Sequence, residues 1–181
     1  FSLVSNEVSK DQLTVMPGYW FLYNMYALSR NSWKYSDRDK RINKTQEIEF
    51  NFLGPDTVNE ILFALELMEE LTGRAYHQQQ GTSLNISRQE MIKSGKKLLE
   101  RKDKTLDELE ITAYGFENSS RKVKLIKVPQ AYLLFKDLVC FYASGQLIQF
   151  MQHNRINSLA ALADKMPAKL SLTNWTNIGG Q

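Results

Sequence analysis

Ten residues, Tyr19-Trp20-Phe21-Leu22-Tyr23-Asn24-Met25-Tyr26-Ala27-Leu28, follow the turn signal Pro17-Gly18 and restrict the fold more than any other stretch. The block is longer than the usual strand of about 5–6 residues and shorter than the roughly 20 apolar residues of a membrane helix. It therefore predicts a helix running to about Tyr35, with Pro17 near its first turn, where a missing N–H is tolerated. On a helical wheel Tyr19, Tyr23, Tyr26 and Trp33 share one side, Leu22 and Met25 another, and Phe21 and Leu28 the back. A helix apolar around its whole circumference is expected to be central and buried. Its aromatic residues then read as core rather than as a platform for bases or sugars. Asn24 and Asn31 lie seven residues apart and stack on one stripe, while Arg30 falls among the aromatic residues.

Residues 57–73 show the cleanest amphipathic pattern. Val58, Ile61, Leu62, Leu65, Met68 and Leu71 form one stripe, and Asn59, Glu66, Glu69 and Glu70 the solvated one. Asp56 or Thr57 can cap this helix, and Gly73 can end it. Residues 76–82 read as a loop. Ser87-Arg88-Gln89-Glu90 matches a capping box and opens a helix of about 87–102, with Met91, Ile92, Leu98 and Leu99 inward. A long apolar helix starts at Pro129 and runs to about His153, with Leu134, Phe135, Leu138, Tyr142 and Met151 inward. A short helix follows at 158–166.

Extended structure is sparse. Residues 47–52 alternate strictly and predict a short strand. Residues 110–114 and 122–128 read as two strands around a turn. The expected fold is mainly α, a helical bundle with a small β-hairpin element. Residues 1–16 form a lead-in, 17–166 a single helical domain, and 167–181 a loose tail.

The chain has 181 residues, of which 43% are hydrophobic and 24% charged, a composition sufficient for a packed core. Its single cysteine, Cys140, excludes an internal disulfide and reads as a small buried hydrophobe. No leader-like segment is visible, so the sequons at Asn43, Asn85, Asn118 and Asn174 read as chance matches, and the protein as cytoplasmic. The first residue, Phe1, is not Met, which suggests a piece of a longer chain. A net charge of +3 is too small for a dedicated nucleic-acid binder. It admits an anionic small molecule without requiring one.

No phosphate-binding glycine loop, dinucleotide fingerprint or nucleophile elbow occurs. His77, His153 and Cys140 match no metal spacing. No catalytic, metal or cofactor site is expected. Glu69 and Glu70 read as an ordinary polar face. The strongest binding candidate is the row Arg30, Lys34, Arg38 and Arg41, which a continuous helix would align. Arginine offers a planar fork for phosphate or carboxylate, and Asn24 and Asn31 can add amide contacts. Asp37 and Asp39 can instead neutralise the row. A second group joins Asn118 to Arg121, Lys122, Lys124 and Lys127. It is either the wet side of a half-buried or edge strand, or an anion site built on the turn and Arg121.

Two stretches carry a family resemblance. One runs from Met16-Pro17-Gly18-Tyr19-Trp20 through Asn31-Ser32-Trp33-Lys34 to Arg38-Asp39-Lys40-Arg41. The other is Glu117-Asn118-Ser119-Ser120-Arg121-Lys122-Val123. Together they resemble the C-terminal helical region of large uncharacterised bacterial proteins in which a hexapeptide-repeat, left-handed β-helix comes first. Those proteins are described as related to sugar-nucleotide pyrophosphorylases or sugar acyltransferases. The resemblance covers about residues 15–150. It implies a helical accessory module that packs on a parent β-helix or on itself, with the chemistry in the β-helix. No hexapeptide repeat is visible here, so no transferase residue carries over. The alternative is a phosphosugar- or nucleotide-binding domain that uses the Arg30–Arg41 segment.

Overall fold

The computed structural model describes residues 1–45, 48, 50–82, 86–115 and 120–165. Its elements are mainly helical, with one small sheet. They fall into two compact units, residues 1–142 and 143–181.

In the first unit the hairpin expected at 110–128 forms in reduced extent. β3 (Thr112–Ala113) pairs antiparallel with β4 (Lys122–Leu125). Residues 1–16 are more than a lead-in. They supply β1 (Leu3–Glu7) and β2 (Gln12–Met16), which pair antiparallel with Leu3 opposite Met16. β2 then lies parallel to β4, Val15 beside Leu125, which gives the order β1-β2-β4-β3. β4 is therefore an inner strand, which corrects the edge-strand reading. Its alternation holds: Val123 and Leu125 are buried, while Lys122 and Lys124 are half-exposed.

The run after Pro17 is not one central helix. α1 (Tyr19–Tyr23) ends at Asn24, and α2 (Met25–Arg38) starts anew. Asn24 is the joint, with φ −142°. Its N–H donates to the Trp20 carbonyl at 2.9 Å, and its own carbonyl accepts from Ala27 at 3.0 Å. Gly18 holds φ +64°, and a Cβ there would come within 2.8 Å of the Phe135 ring. That close seat fixes α1 on the core, where Phe21 meets Phe135 edge-on at 6.3 Å. α2 by contrast buries no residue completely. It leans on the core through Met25 and Leu28 and stacks Tyr35 on Phe50 at 5.0 Å. Ser32 Oγ donates to the Phe50 carbonyl at 3.2 Å. Of the strand expected at 47–52, residues 47 and 49 lie outside the described set. Ile48, Phe50, Asn51 and Phe52 are not in a strand.

α3 (Pro55–Gln79) is longer than expected and starts on Gly54 and Pro55, with no side-chain cap from Asp56 or Thr57. Gly73 does not end it. It lies inside the helix where α4 (Arg88–Arg101) crosses, and a Cβ there would overlap the Met91 carbonyl. Gly95 of α4 is its counterpart, facing the Glu69 carbonyl. Two bare positions let the backbones touch, and that contact extends α3 past the residue that sequence marks as a terminator. The Ser87–Glu90 capping box forms as expected. Leu99 is fully buried, with Leu98 packed beside it. Leu62, expected inward, is exposed.

The core gathers Ile61, Met68 and Leu71 of α3 with Leu99, Val123 and Leu125. The first half of α5 (Val128–His153) adds Val128, Ala131, Tyr132, Phe135 and Leu138. Cys140 is exposed, contrary to the buried reading, because it sits on α5 away from the side that carries Phe135 and Leu138. Glu69 also departs from its solvated reading. It is buried, and Tyr132 Oη donates to it at 2.7 Å. An amphipathic pattern cannot show that the polar edge of a helix will be roofed by another element.

The second unit contains the end of α5 and α6 (Leu159–Lys165). Within it Ile156 and Leu162 are buried, and the Ile156 N–H donates to the Met151 carbonyl at 2.9 Å. The expected tail, 167–181, lies outside the described residues.

Candidate functional site

α2 carries Arg30, Lys34 and Arg38 at four-residue steps, about 6 Å apart along the axis. All three side chains are exposed. The helix ends at Arg38, so Arg41 does not continue the row. Arg41 instead grips Asp39 with two parallel bonds, Nε to Oδ1 at 2.9 Å and Nη2 to Oδ2 at 2.9 Å. That bond, joined by the Arg41 backbone N–H, holds the Asp39 carboxyl well below the usual carboxylate range. The sequence alternative of neutralisation by an acid thus applies to Arg41. Asn24 serves the joint between α1 and α2, and Asn31 is exposed on α2. Asn118 lies outside the described residues. Arg121 Nη1 donates to Asn6 Oδ1 at 2.8 Å and so ties β4 to β1 across the sheet.

The expected residues therefore do not converge. Arg30, Lys34 and Arg38 share a helix face, while Arg121 stands just before β4. Depressions of about 470 Å³ beside Lys102, Lys104 and Lys127, and of about 410 Å³ beside Gln78, Tyr114 and Lys122, each take one lysine of the second group and none of the α2 residues.

What shares the face with Arg30 is aromatic. Tyr26 is 69% exposed and Trp33 64% exposed, and Tyr23 is exposed just before them. The Arg30 guanidinium carbon lies 5.8 Å from the centroid of the Tyr26 ring, within cation–π range. Tyr26, Arg30 and Trp33 stand at i, i+4 and i+7, the spacing of side chains that anchor a helix in a partner's groove. Tyrosine, tryptophan and arginine are also the residue types richest in interface hot spots. The sequence reading placed these rings in the core. The contrary signal lies in the sequence itself: Arg30, Asn31 and Lys34 set polar groups on two neighbouring turns of a helix otherwise rich in apolar residues.

Two other polar groupings are structural. His77 Nδ1 meets Thr82 Oγ1 and Nε2 meets Ser94 Oγ, each at 3.1 Å. Ser94 Oγ in turn donates to the Glu90 carbonyl at 2.8 Å, so this hydroxyl ties the end of α3 to α4. Glu70 joins Arg74 at 2.7 Å and Arg88 at 2.8 Å. Among the described residues no group of three or more His, Cys, Asp or Glu could hold a metal. No described helix is long and apolar enough to cross a membrane.

No family model matches the chain, and no solved structure matches it. An uncharacterised protein of Treponema pallidum (strain Nichols) is 30% identical over 187 residues, an alignment that takes in 100% of this chain and 24% of that protein. The chain thus spans about a quarter of the length of this relative.

Proposed function

We propose that this chain is a helical docking module, an accessory part that works by packing against protein rather than by turning over a substrate. The observation that carries the reading is the exposed triad Tyr26, Arg30 and Trp33 on one face of α2. Rings this exposed are costly in water and release free energy when covered, at roughly 25 cal/mol per Å² of apolar surface. The greater length of the Treponema relative supports a setting inside a larger polypeptide. By the sequence resemblance, the parent would be a sugar-nucleotide-related protein, and the covering surface its β-helix or a second copy of the module.

The reading is tested by the solvent access of Trp33, with Trp20 and Trp175 changed to Phe so that it reports alone. Acrylamide should quench Trp33 freely in the dilute 181-residue chain and poorly in the full-length gene product. Equal quenching in both removes the reading.

A second reading keeps the cation row Arg30, Lys34 and Arg38 as a seat for a phosphosugar or nucleotide. It predicts that Arg30→Ala and Arg38→Ala each weaken binding of such a ligand at least tenfold. Unchanged affinity in both removes it.

A further inference from the structure

α3 carries the chemical complement of the α2 face. Its exposed side presents Asp56, Asn59, Glu60, Phe63 and Glu66. Phe63 is 72% exposed, a ring standing in water between carboxylates. The two faces thus pair aromatic with aromatic and cation with acid: Tyr26, Arg30, Trp33, Lys34 and Arg38 against Asp56, Glu60, Phe63 and Glu66. Both belong to the same compact unit, and both are exposed in a single copy, so neither covers the other within it.

The spacing agrees as well as the chemistry. Arg30 precedes Trp33 by three residues, and Glu60 precedes Phe63 by three. Two helices laid side by side in parallel therefore bring Arg30 to Glu60 and Trp33 to Phe63 at once. In that register Glu66 falls between Lys34 and Arg38. Glu66 already meets Arg88 at 2.8 Å, yet its side chain stays 51% exposed and can accept a second cation. Asp37 also lies on the α2 face, where the same register sets it against Leu67 rather than against an acid.

Resting on the reading of α2 as a docking face, we propose that the occupant is a second copy of this chain, whose α3 takes the α2 of the first. The contact is heterologous. In a pair the first copy keeps its α3 face unused and the second its α2 face, so association proceeds head to tail, to a ring if the rotation closes and to a chain if it does not. The aromatic pair supplies the buried area, and the charges fix register and partner.

Sedimentation of the 181-residue chain over a range of concentrations tests this, with thermal unfolding as the control for folding. The mass of the wild type should rise with concentration. Arg30→Glu alone and Glu60→Arg alone should each weaken association at least tenfold and, at a concentration where the wild type is monomeric, leave the melting temperature unchanged. An equimolar mixture of the two should associate again, because the reversed α2 face of one variant matches the reversed α3 face of the other. A mixture that stays monomeric while the wild type associates overturns the proposed pairing. Association that survives both reversals overturns it also, since another surface would then be responsible.

A wild type that stays monomeric throughout, while Trp33 is shielded in the full-length gene product, overturns the second copy and leaves the docking face standing. Trp33 open in both overturns both. Single-stranded oligonucleotide provides the last arm. Uptake with a steep salt dependence, lost in Arg30→Glu, by a chain that does not self-associate, would assign the face to nucleic acid instead.

Discussion

Helices α2 and α4 have 14 residues each, and their compositions mislead about their burial. α2 carries two tyrosines, a tryptophan, a leucine and a methionine, and none of its residues is fully buried. α4 carries Lys93, Lys96, Lys97 and Arg101, and it buries Gly95 and Leu99 and holds a reciprocal cap at its start. The difference is in what each helix meets. α4 meets a second helix with matching bare positions, so even a narrow apolar strip is sealed. α2 meets only the fringe of the core and leaves Tyr26 and Trp33 in water. Apolar content sets how much a helix can gain by burial, and the neighbour decides whether it does.

That contrast breaks most readily at the crossing of α3 and α4. Gly95→Ala sets a methyl group into the Glu69 carbonyl, and Gly73→Ala sets one into the Met91 carbonyl. Each should cost about 3 kcal/mol, the upper range for overpacking, read as a lower urea midpoint. A cost near zero would mean that the two helices part easily.

Next in size is Tyr132→Phe. It leaves the buried Glu69 carboxyl without its donor and should cost about 1–3 kcal/mol. Burial first, and then the bond to Glu69, push the Tyr132 phenol well above its usual value. A raised folded-state value means that the stabilisation is complete below the ordinary phenol value of about 10. It is lost as pH rises through the higher folded value. The gap between wild type and Tyr132→Phe in urea unfolding should therefore hold up to about pH 10 and narrow above it.

Ser87→Ala removes the cap of α4 and should cost about 1 kcal/mol, a loss that α2 cannot show because no side chain caps it. Smallest is the pair Tyr26→Ala and Trp33→Ala. Each should change stability by less than about 0.5 kcal/mol while weakening association. A larger loss of stability would place these rings in the fold instead of at an interface.

Much of the fold was legible in the chain. The stripe of Val58, Ile61, Met68 and Leu71, the capping box at Ser87, the alternation around Val123 and the start of α5 all follow from local periodicity and local hydrogen bonding. The strands of residues 3–16 were not, because β2 is defined by pairing with β4, far along the chain. Of the candidate site, the row Arg30, Lys34 and Arg38 was legible as spacing. Its aromatic partners were misassigned to the core, and Arg41 left the row only because the helix stops at Arg38.

The sequence alone determined where most helices run, which face of α3 is apolar, and that cations recur along residues 30–41. Tertiary structure alone decided that Gly73 is a crossing point, that Glu69 is roofed by Tyr132, and that Tyr26 and Trp33 stand in water. The physical reason is range. Periodicity, capping and turn formation act over a few residues, whereas burial requires a second surface, and that surface comes from segments whose approach no local pattern encodes.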